Sequence, residues 1–236
     1  MRLILTMTAV CVSFFTASLS AKICGKWDVA PAYVHVDVLQ HEKTIHRMDL
    51  GGIKTDATVV VWKGLCFKPQ LLVVGNRGGL VSTGLGIGHC TPIYKWCMVT
   101  PSVGVIYTNL HTKLNLPIEV AEGVHVVIPH VKERFWSVSP YVGLDVCFTL
   151  PCDWRIVGQV QFSWSRTRTT LSKSGPLGFT NKDTSKSQGP SYGVLIEHDF
   201  TKCFSVNVGA AYNTSLTKEK HGLRGYGGKI GFAYWF

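Results

Sequence analysis

The chain has 236 residues and a formal net charge of +10, yet only 16% of its residues are charged and 46% are hydrophobic. No segment carries apolar residues at the i, i+3, i+4, i+7 spacing over several turns, which argues against a helical protein. After Lys22 no uninterrupted apolar stretch approaches the roughly 18 residues that a spanning helix needs, so helical membrane spans are excluded.

The first 21 residues predict a secretory signal peptide. Arg2 supplies a positive start, residues 3–17 form an uncharged apolar run, and small residues follow up to Ala21. Cleavage is expected after Ser20 or Ala21. The junction contains no L-x-x-C motif, so a lipoprotein anchor is not expected. Residues 22–236 have the length of one domain.

Ten segments alternate apolar and polar residues with the period of a β-strand. They cover residues 27–39, 53–62, 65–74, 80–89, 98–107, 136–148, 155–166, 192–200, 204–213 and 225–236. Residues 109–135 read as a long loop with a small hairpin near 124–128, and eight or twelve strands remain alternatives to ten. The pattern predicts an all-β protein.

The last strand carries the most specific signal. Ile230, Phe232, Tyr234 and Phe236 are large and apolar at every second position, and the sequence ends on the last of them. This segment resembles the C-terminal signature of bacterial outer-membrane β-barrel proteins. The resemblance implies a transmembrane antiparallel up-and-down β-barrel in the outer membrane, surrounded by lipid and lipopolysaccharide. It also implies that the barrel-assembly machinery reads this strand.

Barrels of this kind have short periplasmic turns and long external loops. With both termini in the periplasm, the joins near residues 64, 91–96, 151–153 and 201–203 are periplasmic, and those at 40–52, 75–79, 109–135, 166–191 and 214–224 are external. A soluble β-sandwich would also alternate. It would explain less well the aromatic residues at strand ends, which suit interfacial girdles: Trp27, Trp62, Trp96, Tyr107, Trp136, Trp164, Tyr192 and Trp235.

Cysteines are unusually frequent and are placed on one side. Seven follow the predicted signal peptide, all near predicted periplasmic ends of strands: Cys24, Cys66, Cys90, Cys97, Cys147, Cys152 and Cys203. An oxidising envelope would convert such thiols to disulfides, and Cys90–Cys97 and Cys147–Cys152 flank turns that they could staple. An odd number leaves at least one cysteine for an intermolecular bond or a free thiol. Such usage resembles the disulfide-cross-linked envelopes of certain obligate intracellular bacteria, although purely internal disulfides are the alternative.

Charged residues of both signs are predicted to face the lumen: His35, Asp37, Lys54, Asp56, Lys68, Asp145, Arg155, Glu197, Asp199 and Lys229. A ten-stranded barrel is narrow and its inward side chains largely fill it. Buried charges need partners, so a salt-bridged plug is expected, with a small gated channel as the alternative.

Basic residues concentrate in the predicted external loops. Arg166, Arg168, Lys173, Lys218, Lys220 and Arg224 are the anion-binding candidates, and Lys182 and Lys186 add to the charge. At this location nucleic acid is not a sensible partner. Lipopolysaccharide phosphates are the expected partner, and sulfated host glycans, which would make the protein an adhesin, are the alternative.

Catalytic and metal signals are weak. Asp49, Asp183 and Glu219 are rim carboxylates that a barrel protease would need, but no spacing identifies a set, and Ser163 and Ser165 lack an obvious base. Loop histidines are also numerous (His41, His46, His111, His125, His130 and His221, with Glu119, Glu122 and Glu133 nearby), yet their spacing matches no zinc motif. No cofactor and no metal site are predicted.

The sequence therefore predicts a surface-exposed structural outer-membrane β-barrel that is disulfide-linked to envelope partners at its periplasmic rim. The alternatives are a narrow porin-like channel, an adhesin, and an outer-membrane enzyme acting as a lipid A hydrolase or protease.

Overall fold

The computed structural model describes residues 23–76, 78–121, 124–173 and 178–236, with the side chains of 114–130 outside that description. The predicted signal peptide lies outside the described residues. The strands are β1 Cys24–Gln40, β2 Lys43–Trp62, β3 Leu65–Gly75, β4 Gly79–His89, β5 Thr91–Tyr94, β6 Cys97–Ala121, β7 Val124–Thr149, β8 Trp154–Lys173, β9 Phe179–Asp199, β10 Phe204–Leu216 and β11 Gly222–Trp235. Within the described part of the chain, no helix is long and apolar enough to cross a membrane.

The sheet closes on itself. Strands neighbouring in sequence pair antiparallel, β1 pairs with β11, and β4 pairs with β6 to complete the ring. The short β5 continues β4 beyond Cys90 and pairs with β6, so the wall has ten strands. Closure leaves each described wall strand paired on both sides, which removes the exposed edges of an open sheet. The predicted ten-stranded antiparallel barrel is confirmed.

The seam between the first and last strands ends on a reciprocal pair of hydrogen bonds. The N–H of Gly25 donates to the carbonyl of Phe236 at 2.9 Å, and the N–H of Phe236 donates back at 3.0 Å. A side chain at position 25 would place its Cβ 2.7 Å from the Phe236 ring, so only glycine fits beside this aromatic ring.

Apolar side chains cover the outside of the barrel. Ile230 and Phe232 are 65% and 70% exposed, and Tyr234 and Phe236 lie on the same face. On β7, Val138, Val142, Leu144 and Phe148 face outward, while Ser137 and Ser139 are buried in the lumen. Lipid contact explains why these large apolar groups are not covered by protein.

Aromatic residues mark both ends of the apolar band. Trp27, Trp62 and Trp96 are exposed at the end that carries Gly25 and Phe236, and Tyr107, Trp164 and Tyr192 are exposed toward the other end. The prediction was wrong for Trp235, which points into the lumen, where its Nε1 donates to the Ser205 hydroxyl at 3.1 Å. Its neighbours Tyr234 and Phe236 occupy the outer face instead, as strand alternation requires.

The predicted long external loops are mostly paired strands. β6 and β7 continue pairing from His111–Arg134 to Ala121–Val124, and β8 and β9 pair as far as Lys173–Phe179. The predicted loop 40–52 is a turn at 41–42 between β1 and β2. The loop prediction failed because, above the membrane, neither strand face contacts lipid, so the apolar alternation disappears while backbone pairing continues.

Candidate functional site

The described cysteines all lie at one end of the barrel, which we call the terminal rim because it carries Gly25 and Phe236. Cys24, Cys152 and Cys203 are exposed, Cys66 is buried, and Cys90, Cys97 and Cys147 are partly buried. All seven have free thiols in this structure. The rim thus presents three accessible thiols on one side of the molecule, whereas their oxidation stays a prediction.

Cys66 and Cys90 form the one thiol pair whose side chains hydrogen-bond to each other in the described part of the chain. Cys66 is paired with Gly88 on β4, and the N–H of Cys90 donates to the carbonyl of Gly64 at 2.7 Å. The two cysteines are therefore diagonal neighbours across adjacent strands, both on the lumen side. The contact between Cys66 and Cys90 was not predicted from the sequence, because the two cysteines lie next to different turns.

The two hairpin staples considered from the sequence do not fit the register. Cys147 pairs with Val157, and strands rise about 3.3 Å per residue. Its Cα is therefore on the order of 10 Å from that of Cys152, beyond the roughly 7 Å that a disulfide spans. Cys97 pairs with Phe148 on the outer face, whereas the thiol of Cys90 contacts Thr100 in the lumen.

Cys152 occupies the apex of the β7–β8 turn. It has a φ of 60°, and the following Asp153 has a φ of 61°, so both have the positive φ of the central residues of a type I′ turn. Asn, Asp and Gly are the residues such turns favour, and a cysteine there is uncommon. Turn formation therefore does not explain why a thiol stands at this exposed position.

Opposite charges pair across the lumen next to the terminal rim. The cations are Lys26, Lys54, Lys68, Arg155 and Lys229, and the anions are Asp28, Asp56, Asp145, Glu197 and Asp199. The two signs balance in this layer, which we call the charge layer. Pairing of this kind is what makes buried charges tolerable, and it agrees with the predicted salt-bridged plug.

Glu197 is the most enclosed member of the charge layer, with 1% of its surface exposed. It contacts Lys26 and accepts a hydrogen bond from Arg155 at 2.7 Å. The Arg155 guanidinium also contacts Asp199 and lies 4.0 Å from the centroid of the Trp235 ring. Lys26 and Arg155 thus both pack against the ring of Trp235, whose inward position was not predicted.

The other half of the lumen is divided between an apolar and a hydroxyl sector. Val36, Met48, Leu50, Val74, Leu80 and Leu110 form the apolar cluster under β1–β6. Under β7–β10, Ser139 and Ser165 are 2.6 Å apart and Ser187 and Ser215 are 2.8 Å apart. Sequence reasoning missed the apolar cluster, although the run of Val34, Val36 and Val38 on a single face of β1 was visible.

The prediction that His35 and Asp37 face the lumen was wrong. Val34, Val36 and Val38 of the same strand face the lumen, so alternation places His35 and Asp37 on the outer face beyond the apolar band. There Asp37 is 2% exposed and accepts hydrogen bonds from Tyr226 at 2.7 Å and Arg224 at 2.9 Å. Those hydrogen bonds, that of Tyr226 first, hold the pKa of Asp37 below its usual range.

The anion-binding candidates do not form one loop cluster. Arg166, Arg168 and Lys173 lie on β8, Lys218 and Lys220 lie in the turn between β10 and β11, and Arg224 lies on β11. Lys220 is paired with Glu42 at 2.6 Å, and Arg224 with Asp37. These two residues therefore already have carboxylate partners, on β1 and in the turn that follows it, whereas anion binding by the candidates stays a prediction.

The candidate catalytic carboxylates are far apart. Asp49 lies opposite His35, Asp183 lies opposite Thr169 on the other side of the barrel, and Glu219 lies in the β10–β11 turn. Ser165 bonds Ser139 inside the lumen. Among the described residues no group of three or more His, Cys, Asp or Glu side chains is placed to hold a metal. The side chains of Glu119, Glu122, His125 and His130 lie outside the described residues.

A closed barrel with an apolar outer face and a lumen of paired charges defines a bacterial outer-membrane β-barrel protein. The chain belongs to the Protochlamydia outer membrane protein family, whose family model matches residues 76–229. Both findings agree with an outer-membrane location. No curated protein matches the sequence.

Solved structures with the same fold include outer membrane protease OmpT from Escherichia coli, with a TM-score of 0.64 and 12% identity over 94% of this chain and 100% of that one. The attachment invasion locus protein Ail of Yersinia pestis has a TM-score of 0.43 and 10% identity, covering 90% of this chain and 98% of its own. Neisserial surface protein A has a TM-score of 0.41 and 12% identity, covering 91% and 97%. At these identities the likeness to OmpT shows the fold alone.

Proposed function

We propose that the protein is a structural, surface-exposed barrel of the outer membrane whose terminal rim faces the periplasm and is disulfide-linked to other envelope proteins. The observation that carries this proposal is the placement of every described cysteine at that rim, with Cys24, Cys152 and Cys203 exposed. A stable fold of this size does not need exposed thiols, and the turn at Cys152 does not favour one.

The thiols divide into two groups by accessibility. Cys66 and Cys90 contact each other inside the rim, so oxidation by a disulfide-bearing oxidant of the envelope would join them and transfer their two electrons to that oxidant. The exposed thiols have no thiol partner within the described chain. Each would attack a disulfide on a neighbouring protein as the thiolate, forming the intermolecular bond and releasing one thiolate.

Cross-linking in intact envelopes tests this proposal. Cells are treated with a membrane-permeant alkylating reagent at harvest, and extracts are run with and without reductant. We expect the wild-type protein to migrate in high-mass species that collapse to the monomer with reductant. Replacing Cys24, Cys152 and Cys203 together by Ser should give the monomer in both lanes, while the matched Cys66→Ser/Cys90→Ser variant keeps the high-mass species. A monomeric wild-type band without reductant would overturn the proposal.

The packing of the lumen supports a structural role rather than diffusion. Glu197 and Asn207 next to the terminal rim and Leu50 in the other half of the lumen are each 1% exposed, and the balanced charge layer leaves no surplus of one sign to select ions. Planar-bilayer recordings of the refolded protein should therefore show no steady conductance. Stable ion currents would favour the narrow channel instead, independently of the cross-linking result.

The outward face of the last strand supports the remaining part of the proposal. Ile230, Phe232, Tyr234 and Phe236 present a continuous apolar row along the seam, and this row is the surface that the barrel-assembly machinery would read. A Phe232→Asp variant should fold in detergent yet fail to reach the outer membrane in cells.

A further inference from the structure

A groove on the outer wall lies where β6, β7, β8 and β9 rise above the apolar band. Its volume is about 360 Å³ and its lining comprises Asn109, Arg134, Trp136, Arg168, Thr170 and Lys182. The strand register brings these residues together: Trp136 lies opposite Asn109 and Arg168, and Thr170 lies opposite Arg134 and Lys182. We call this the cationic groove.

Within the described part of the chain, no carboxylate pairs with the cations of the groove. Among the ion pairs of the described residues, none involves Arg134, Arg168 or Lys182, in contrast to the fully paired charge layer. The adjacent carboxylate of Glu133 points to the opposite face of β7, where its Oε2 is buried. Alternation likewise directs Asp183 away from Lys182. Among the described residues, the three positive charges of the groove therefore have no carboxylate paired with them.

The position of the groove relative to the apolar band determines which kind of anion can reach it. On β7 the outward residues run from Phe148 through Val142 and Val138, which face lipid, to Trp136 and then Arg134. The groove begins at the residue where the lipid-facing side chains end. An indole at that level is typical of the membrane interface, so the cations stand at the depth of headgroup phosphates.

The chemistry of the lining also fits a phosphate monoester or diester on a polar headgroup. Guanidinium groups bind phosphate oxygens with two parallel hydrogen bonds, and lysine adds a point charge. Asn109 and Thr170 add an amide and a hydroxyl, which can bond the hydroxyl or carbonyl oxygens of a sugar headgroup. The tips of the hairpins would be a better place for a soluble glycan, but Lys220 there is paired with Glu42.

We propose that the cationic groove binds the phosphorylated headgroup of an outer-leaflet lipid, with Arg134, Arg168 and Lys182 on the phosphate and Trp136 beside the upper acyl region. This site is independent of the rim thiols and of the structural role. Its three cations lie on strands and not in loops, and of the three only Arg168 was one of the anion-binding candidates from the sequence.

Lipid binding to the refolded barrel in detergent micelles tests the proposal. The probes are a bisphosphorylated glucosamine lipid, the same lipid without its phosphates, inorganic phosphate, and heparin as a sulfated glycan. Bound lipid is counted by native mass spectrometry. The test variant combines Arg134→Gln, Arg168→Gln and Lys182→Gln, and the control variant combines Lys43→Gln, Lys95→Gln and Lys202→Gln, which removes the same charge from exposed positions outside the groove.

We expect the test variant to bind the phosphorylated lipid at least tenfold more weakly, and the control variant to match the wild type within about twofold. The dephosphorylated lipid should bind the wild-type protein as weakly as the phosphorylated lipid binds the test variant. Equal loss in both variants would mean a general charge effect and would overturn the site. Displacement of the lipid by millimolar inorganic phosphate, or groove-dependent heparin binding without lipid binding, would overturn the choice of ligand.

Discussion

Glu197 offers the sharpest test of whether the lumen is a packed interior. In Glu197→Gln the side chain keeps its shape but loses the charge that pairs Lys26 and Arg155. Removing one partner of a buried ion pair costs about 3–5 kcal/mol. Two features place this site at the lower end: Arg155 keeps Asp199, and the Lys26 side chain is 17% exposed. We therefore expect a loss of about 3 kcal/mol, roughly a hundredfold in the folding equilibrium, since about 1.4 kcal/mol is tenfold.

Urea unfolding of the barrel in lipid vesicles, followed by tryptophan fluorescence, measures this loss. The control is Glu42→Gln, because Glu42 and Lys220 are 2.6 Å apart but 60% and 59% exposed, and an exposed pair of this kind contributes at most about 1 kcal/mol. A Glu197→Gln variant within about 0.5 kcal/mol of the wild type would refute the reasoning. It would mean that water fills the lumen and screens the charge layer.

Further predictions concern pH and packing. Burial raises the pKa of Glu133, so its ionised form destabilises the fold, and Glu133→Gln should unfold at higher urea than wild type at pH 7, with the gap closing below about pH 4. Asp37 has a lowered pKa, so Asp37→Asn should destabilise at pH 7, and this difference should shrink as acid protonates Asp37. In Gly104→Ala the new Cβ would overlap the carbonyl of Leu85, at a cost of about 1–3 kcal/mol, whereas Gly51→Ala meets nothing within 4 Å and should fold like wild type in gel-shift assays of heat-modifiability. A Gly51→Ala variant less stable than Gly104→Ala would contradict the packing described here, and so would pH effects of the opposite sign in Glu133→Gln or Asp37→Asn.

Alternation predicted the wall well wherever lipid contact imposes it. On β11 the large apolar outward residues are those the sequence indicated, because one face must be apolar and the other must fit a narrow lumen. The last strand could therefore be predicted from Ile230, Phe232, Tyr234 and Phe236 alone. Trp235 is the one residue of this segment that was assigned to the outer face and lies in the lumen.

The pattern failed where the lipid constraint ends. His35 and Asp37 were assigned to the lumen because polar residues are expected there inside a membrane, but above the apolar band the lumen of β1 is lined by valines. The same loss of constraint hid the extended hairpins. Pairing between strands is satisfied by backbone groups of any sequence, so it leaves no side-chain pattern to read.

The sites depended on contacts that one sequence does not encode locally. Cys66 and Cys90 meet because β3 and β4 have a particular register, and Arg134, Arg168 and Lys182 meet because three strands share one height. Charge and cysteine counts indicated the kinds of chemistry present, whereas the register decided which residues are neighbours.

In the hairpins that rise above the apolar band, the side chains that form the outer surface are not the groups that hold the strands together. In a paired strand every second side chain points away from the barrel, while the hydrogen bonds that hold the strand use only its backbone. Outward positions on β9, such as Thr184 and Lys186, can thus be exchanged for other polar residues at little cost to folding. The outer face of the hairpins above the apolar band is therefore free to diversify in chemistry while keeping a constant shape.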